Sequence, residues 1–267
     1  MNNILLAFGL TLLAGLSTGI GSCLACFTKK TNTKFLSVSL GFSAGVMIYV
    51  SMVEIYFKAK DSLTAELGLK AGSWLTAASF FAGMLFIALI DKLIPSGENP
   101  HQMYKIEEIR DSEQPSNSKL LRMGLFTALA VGIHNFPEGL ATFISALQEP
   151  GIAIPITVAI ALHNIPEGVA VSVPVYYATG DRKKAFMYSF LSGLSEPLGA
   201  IIGYLILLPF MNELVFGIIF AAVAGIMVFI SLDELLPSAQ EYGEHHLSIY
   251  GLVAGMAIMA ISPLLFL

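Results

Sequence analysis

The word HNFPEG at 134 to 139 returns as HNIPEG at 163 to 168, each copy in the middle of a long apolar stretch. Six side chains able to do chemistry, His134, Asn135, Glu138, His163, Asn164 and Glu167, stand where hydrocarbon-facing residues are expected. Ionisable groups are costly in a bilayer and are kept mainly where they line a pathway or bind something. On a helix, residues four apart share a face and residues three apart nearly do. Each copy therefore presents imidazole, amide and carboxylate as one stripe. Such mixed nitrogen and oxygen donors suit a divalent transition metal, and carboxylates able to bridge leave room for one ion or two. Pro137 and Pro166 have no amide hydrogen and free the carbonyls of Ile133 and Leu162. The expectation is a kink at each word, with a backbone oxygen turned to a cavity.

The elements that carry these stripes follow from composition. With 55% apolar and only 12% charged residues, the chain is too apolar for a soluble globule. Apolar runs at 4 to 27, 35 to 57, 72 to 94, 120 to 147, 151 to 178, 184 to 208, 214 to 236 and 248 to 266 are each near or above the ~20 residues that cross ~30 Å of hydrocarbon. The fold class expected is an all-α polytopic membrane protein with eight transmembrane helices, forming one transmembrane domain over 1 to 267. The short alternating segments of a membrane β-barrel do not occur. The two words fall on helices joined by a tight turn near Gln148 to Pro150, so these are antiparallel neighbours. His134 lies 14 residues before Gln148 and His163 lies 13 after Pro150, which puts both close to the midplane at ~1.5 Å per residue.

Lys29, Lys30 and Lys34 mark the first loop, Lys92, Lys105, Arg110, Lys119 and Arg122 the third, and Arg182, Lys183 and Lys184 the fifth. The positive-inside rule puts these odd loops in the cytoplasm and both termini outside. The start, with no Lys or Arg before Lys29, reads as a retained helix and not a cleaved signal. The loop at about 95 to 119 is polar, and its single His101 gives weak support for metal sensing. Cys23 and Cys26 form a lone CxxC, expected to be ordinary membrane packing.

AGVMIYVSMVEI from Ala44 to Ile55 is matched without a gap by AGIMVFISLDEL from Ala224 to Leu235, an offset of 180 residues. Gly15, Leu16, Ser17, Ile20 and Gly21 align more weakly with Gly193, Leu194, Ser195, Leu198 and Gly199. On the topology above, helices 1 to 3 and 6 to 8 are inverted repeats around a central pair of helices 4 and 5, an arrangement that places substrate near the midplane of transporters. The repeat pairs Glu54, near the outer end of helix two, with Glu234, beside Asp233, near the inner end of helix seven. These are candidate entrance and exit residues for a cation, or headgroup carboxylates. Glu241, Glu244, His245 and His246 offer a cytosolic hand-off for metal or a solvated turn. Glu196, before Pro197 in helix six, has Thr18 as its repeat partner, so its charge belongs to one half only and reads as a ligand.

GIHNFPEGLATF, ALHNIPEGVAVSVPVYYATG, SGLSEPLG and DELLPSAQEYGEHHLS together resemble the ZIP (Zrt/Irt-like) divalent-metal transporter family, in particular its bacterial zinc transporters. The likeness extends over essentially all eight helices. It implies a carrier in the bacterial cytoplasmic membrane with both ends outside, moving Zn2+, and often Fe2+, Mn2+, Co2+ or Cd2+, inward as substrate and not as cofactor. By motif position it implies a first ion at His134, Glu138, His163 and Glu167 with Met47 nearby. A second ion falls to Asn135, Glu138, Asn164, Glu167 and Glu196, with the two glutamates bridging. Family members commonly carry Asp where this chain has Asn164, which lowers the negative charge of the second position. The partners expected are divalent metal ions and membrane lipid, with no nucleic acid; a homodimer is left open.

An intramembrane metallopeptidase would need HExxH with a free general base, and no HExxH occurs, so no enzyme is expected. A metal-selective cation channel is the alternative function; it requires binding weak enough for rapid exit, whereas several carboxylates and imidazoles hold a transition metal tightly.

Overall fold

The computed structural model describes residues 2–27, 33–93, 117–148, 150–207, 210, 212–242, 245–261 and 264, and everything described is helix or short connection. The helices are α1 (Asn2–Phe27), α2 (Thr33–Tyr49), α3 (Tyr56–Leu93), α4 (Asn117–Gln148), α5 (Pro150–Thr179), α6 (Arg182–Gly193), α7 (Ser195–Ile202), α8 (Glu213–Ile230), α9 (Leu236–Tyr242) and α10 (His245–Ile261). Three π-helical turns join them, Val50–Ile55 between α2 and α3, Gly203–Leu207 after α7, and Ser231–Leu235 between α8 and α9. Large apolar side chains stay exposed along the helices, among them Leu5, Phe81, Leu85, Leu89, Leu205 and Val253. Such faces suit contact with hydrocarbon or with another protein surface.

By length and composition, Asn3–Ala25, Lys34–Lys92, Ile156–Thr179, Arg182–Ile206 and Glu213–Gln240 are able to cross a membrane. The 59 residues of Lys34–Lys92 are too many for one crossing of ~30 Å. Gly68, at φ 78° and ψ 162°, interrupts them, and a Cβ on Gly72 would lie 2.5 Å from the carbonyl oxygen of Leu63, so the chain reverses there. The connection expected at 58 to 71 is thus helical on both sides of one left-handed glycine. α4, with 32 residues, is long enough to span as well.

Local signals set several helix ends. Gly180, at φ 66°, closes α5 with its amide on the carbonyl of Tyr176, a glycine stop. The Asp181 carboxylate then accepts the amides of Lys183 at 2.9 Å and Lys184 at 3.2 Å and starts α6. Asn212 caps α8 by accepting the amide of Val215 at 2.9 Å. The kink expected at each proline is not a break: α4 and α5 stay helical through Pro137 and Pro166.

Two groups of helices emerge from packing. α1, α4, α5, α6 and α7 pack on one another, and α2, α3, α8, α9 and α10 form the second group, with α3 on α8 and α2 on α10 as its main pairs. The seam is thinner, chiefly α2 on α5 and α4 on α8. Missing side chains allow backbones to touch inside each group. Gly21 of α1 lies on the carbonyl of Ile165 and Gly199 of α7 on that of Phe136, while Gly168 lies on the carbonyl of Thr18 and Gly139 on that of Glu196. These contacts fall into matched pairs, since residues 178 apart in α1 and α7 meet residues 29 apart in α5 and α4. The second group behaves likewise: Gly45 meets Leu252 and Gly225 meets Phe80, Gly83 meets Ala222 and Gly255 meets Phe42. A Cβ at any of these positions would strike backbone, so the pairs fix how closely the helices approach.

Candidate metal site

α4 and α5 set the two words side by side at one depth, as their spacing from the turn requires. His134 Nε2 is 2.9 Å from Glu167 Oε1, and His163 Nε2 is 3.1 Å from Glu138 Oε2. Each imidazole therefore pairs across the helix interface with the glutamate of the other word. Glu167 Oε1 also lies 3.7 Å from His163 Nε2, which links the two pairs. All four side chains are at most 3% exposed.

The amides differ. The amino group of Asn164 donates to the carbonyl of Ala14 at 2.9 Å and to Glu196 Oε1. Two acceptors fix which end of the amide is nitrogen. Asn164 thus holds Glu196, which is fully buried. Asn135 is fully buried too, yet among the described residues neither of its amide atoms has a hydrogen-bond partner. Thr18 Oγ1, Asn164 Oδ1, Glu138 Oε1 and Glu196 Oε2 are also without one there. Buried polar atoms are nearly always satisfied, and apart from the Asn135 amino group and the Thr18 hydroxyl these atoms are acceptors only. A cation is the natural complement of such oxygens. Among the described residues no group of three or more His, Cys, Asp and Glu is arranged to hold a metal ion as they stand.

The remaining sequence candidates divide. Glu234, in the π-turn after α8, is 8% exposed, and its Oε2 is 3.7 Å from His134 Nδ1, so it belongs to the central cluster. Asp233, its neighbour, is exposed, and Glu54 in the π-turn between α2 and α3 is half-buried. Met47 is 1% exposed in the main core, as is its counterpart Met227. His246 is exposed and stacks on Tyr250 at 6.2 Å. His101, Lys29, Lys30, Lys105 and Arg110 lie outside the described residues, as do the side chains of His245, Glu241, Glu244, Lys119 and Cys26. Cys23 is a free thiol on the exposed surface.

One residue escaped the sequence reading. Asp91, near the end of α3, lines with His134 and Glu234 a void of about 10 Å³, the size of one water. The only sequence signal was a carboxylate in the last turn of an apolar helix, which is too common to single out.

Comparison with known proteins bears on all of this. The sequence profile of the family described as ZIP Zinc transporter matches residues 92–262. The zinc transporter ZupT of Streptococcus mutans serotype c is 69% identical over 98% of this chain and 97% of its own length. That of Oceanobacillus iheyensis is 66% identical over 99% of both, and that of Clostridium perfringens 64% identical over all of this chain and 98% of its own. These are transporters and not enzymes. Since the likeness runs from end to end and takes in both words and the helices around them, the chain is an integral membrane protein that belongs to the ZIP zinc transporter family.

Proposed function

We propose that the chain takes divalent transition metal, zinc foremost, across the bacterial cytoplasmic membrane into the cell, and that His134, Glu138, His163 and Glu167 hold the ion at mid-depth. The observation that carries this reading is the reciprocal pairing of the two words, His134 with Glu167 and His163 with Glu138, in a site closed to solvent. A metal bound through Nε2 takes the place of the proton in each pair, so loading releases protons. The relatives' printed names support zinc; Fe2+, Mn2+, Co2+ and Cd2+ suit the same donors, whose ranking depends on geometry and availability. Asn135, Asn164 and Glu196, with Glu138 and Glu167 bridging, form the second position. Met47 stays an accessory to the first.

The topology we propose has eight crossings, odd loops in the cytoplasm and both termini outside. Helices 1 to 3 and 6 to 8 are then inverted repeats around the pair of helices 4 and 5. The matched glycine contacts support this, as do the π-turns at Val50–Ile55 and Ser231–Leu235, which fall at corresponding places in helices two and seven. Sparse packing along the seam favours alternating access by movement of one helix group against the other. A channel needs a continuous path, and burial of all four central side chains argues for the carrier. Glu234 and Asp91 lie on the exit side of His134, with Asp233, His245 and His246 beyond, and Glu54 on the entrance side.

In proteoliposomes, zinc uptake should saturate at low metal concentration, and Glu138→Ala or His134→Ala should abolish it while leaving the protein inserted and folded. Normal uptake by both variants refutes the site; flux that stays linear with metal and follows voltage refutes the carrier.

A further inference from the structure

Along the seam between the helix groups runs an apolar groove of about 1030 Å³, walled by α3 and α8 on one side and by α4, α6 and α7 on the other. Its volume exceeds the roughly 300–1,000 Å³ usual for small-molecule sites. From Leu125 to Leu140 of α4 it extends roughly 22 Å, at ~1.5 Å per residue, more than the hydrocarbon half of one leaflet. Phe86, Leu129, Leu191 and Leu198 present their side chains there with half or more of their surface exposed. The serine hydroxyls of the lining are turned away: that of Ser192 donates to the carbonyl of Ser189 at 2.7 Å, and that of Ser195 to the carbonyl of Ser192. A lining that is otherwise almost wholly apolar and satisfies its serine hydroxyls internally suits hydrocarbon.

One end of the groove is cationic. Arg122 precedes Leu125 and Leu129 by three and seven residues on α4, and Lys184 precedes Tyr188 and Leu191 by four and seven on α6, so each charge continues its helix's lining stripe. Both side chains are exposed, and the Arg122 guanidinium sits 5.6 Å from the centre of the Phe126 ring. An apolar slot that ends in two cations complements a molecule with a hydrocarbon tail and a negative head.

We propose that the seam binds an anionic phospholipid, with an acyl chain between α3 and α8 and α4 and α6, and the phosphate on Arg122 and Lys184. On the topology above this lipid comes from the cytoplasmic leaflet. The chain rests against Gly132, Ile133 and Phe136, immediately before and within the first word, and across the surface where one group must slide on the other. Such a lipid is a removable filler of the moving interface, which links transport to membrane composition.

The test uses the full-length protein in detergent with its one natural tryptophan removed, Trp74→Phe, and a reporter placed in the groove by Leu129→Trp or, independently, Leu198→Trp. Phosphatidylglycerol and phosphatidylcholine carrying brominated acyl chains are titrated as quenchers. Phosphatidylglycerol should quench both reporters at lower concentration, and R122Q and K184Q should each raise its half-quenching concentration roughly fivefold, the effect of one charge at an anionic surface, without changing phosphatidylcholine. Equal quenching by the two lipids would reduce the groove to an ordinary annular surface. No quenching by either, as a second copy of the chain seated in the seam would give, or an anionic preference untouched by the charge substitutions, overturns the proposal.

Discussion

The two words are alike in letters and unlike in what surrounds them. Their histidines and glutamates are used the same way, each imidazole on the opposite carboxylate at 2.9 and 3.1 Å. Their asparagines are not. Asn164 is anchored to the carbonyl of Ala14 and to Glu196, while Asn135, equally buried, has no hydrogen-bond partner among the described residues. The glycines also press different helices against the two words. Gly168 brings α5 onto Thr18 of α1, and Gly139 brings α4 onto Glu196 of α7, so one side of the cluster receives a hydroxyl and the other a carboxylate. A near-symmetric frame thus holds one symmetric feature, the crossed pairs, and one asymmetric feature, the fixed Glu196. The crossed pairs are common to both words, and the proposed second ion position is where this chain departs from symmetry.

The largest expected effect tests the symmetric part. Glu138→Gln and Glu167→Gln each remove a charge facing a buried imidazole, at a cost of about 3–5 kcal/mol for a broken buried pair if no metal is present, and each should bring zinc uptake to background. Calorimetric titration of zinc into the purified variants should show equal loss of affinity. A variant that kept transport while the other lost it would break the equivalence of the words.

Next comes the asymmetric part. Glu196→Thr copies Thr18 and takes away the acceptor that orients Asn164; such supporting contacts are commonly worth 10- to 100-fold in metal affinity, and a loss of about that size is expected in uptake at low zinc. Asn164→Asp acts in the opposite sense. It sets a second carboxylate where an amide now donates to Glu196, and like charges this close need a cation between them. Bound zinc per chain at saturation, measured by equilibrium dialysis, should therefore rise above that of the unaltered protein. An unchanged ratio would show that the charge at 164 does not control the second position.

A smaller difference is expected between Glu234→Ala and Glu54→Ala. Glu234 reaches within 3.7 Å of His134, whereas among the described residues His163 meets no carboxylate other than Glu138 and Glu167. Zinc affinity should fall for Glu234→Ala and stay constant for Glu54→Ala, while both slow uptake. If affinity is lost equally, Glu54 also reaches the ion at some stage of the cycle.

How far the sequence foretold this depends on range. That His134 and His163 lie at one depth was legible because helix spacing and distance from the turn between α4 and α5 are local rules; which imidazole meets which carboxylate was not. The match of Ala44 to Ile55 with Ala224 to Leu235 is read from the letters themselves. The position of Glu234 was not legible. It lies in the π-turn Ser231–Leu235, and a periodicity of 3.6 residues cannot register such a turn. Asp91 was missed because its role arises only when α3 packs on α8, a pairing set by the glycines at 83 and 225. The orientation of Asn164 depends likewise on Ala14 and Glu196, 150 and 32 residues away.

The finest test concerns Asn135 itself. A buried amide that makes no hydrogen bond carries a desolvation cost of about 1–3 kcal/mol, so Asn135→Ala should leave the protein's thermal stability unchanged or raise it in the absence of metal. Asn164→Ala removes two bonds and should lower it by a comparable amount. Stability alone would then make Asn135 dispensable. If its oxygen instead completes the coordination of a second ion, zinc added at saturation should stabilise the unaltered protein more than Asn135→Ala, and the difference should vanish when Glu196→Thr is combined with it. Zinc stabilisation that is the same with and without the amide would leave Asn135 as strain in the frame, and would confine the transported ion to the crossed pairs.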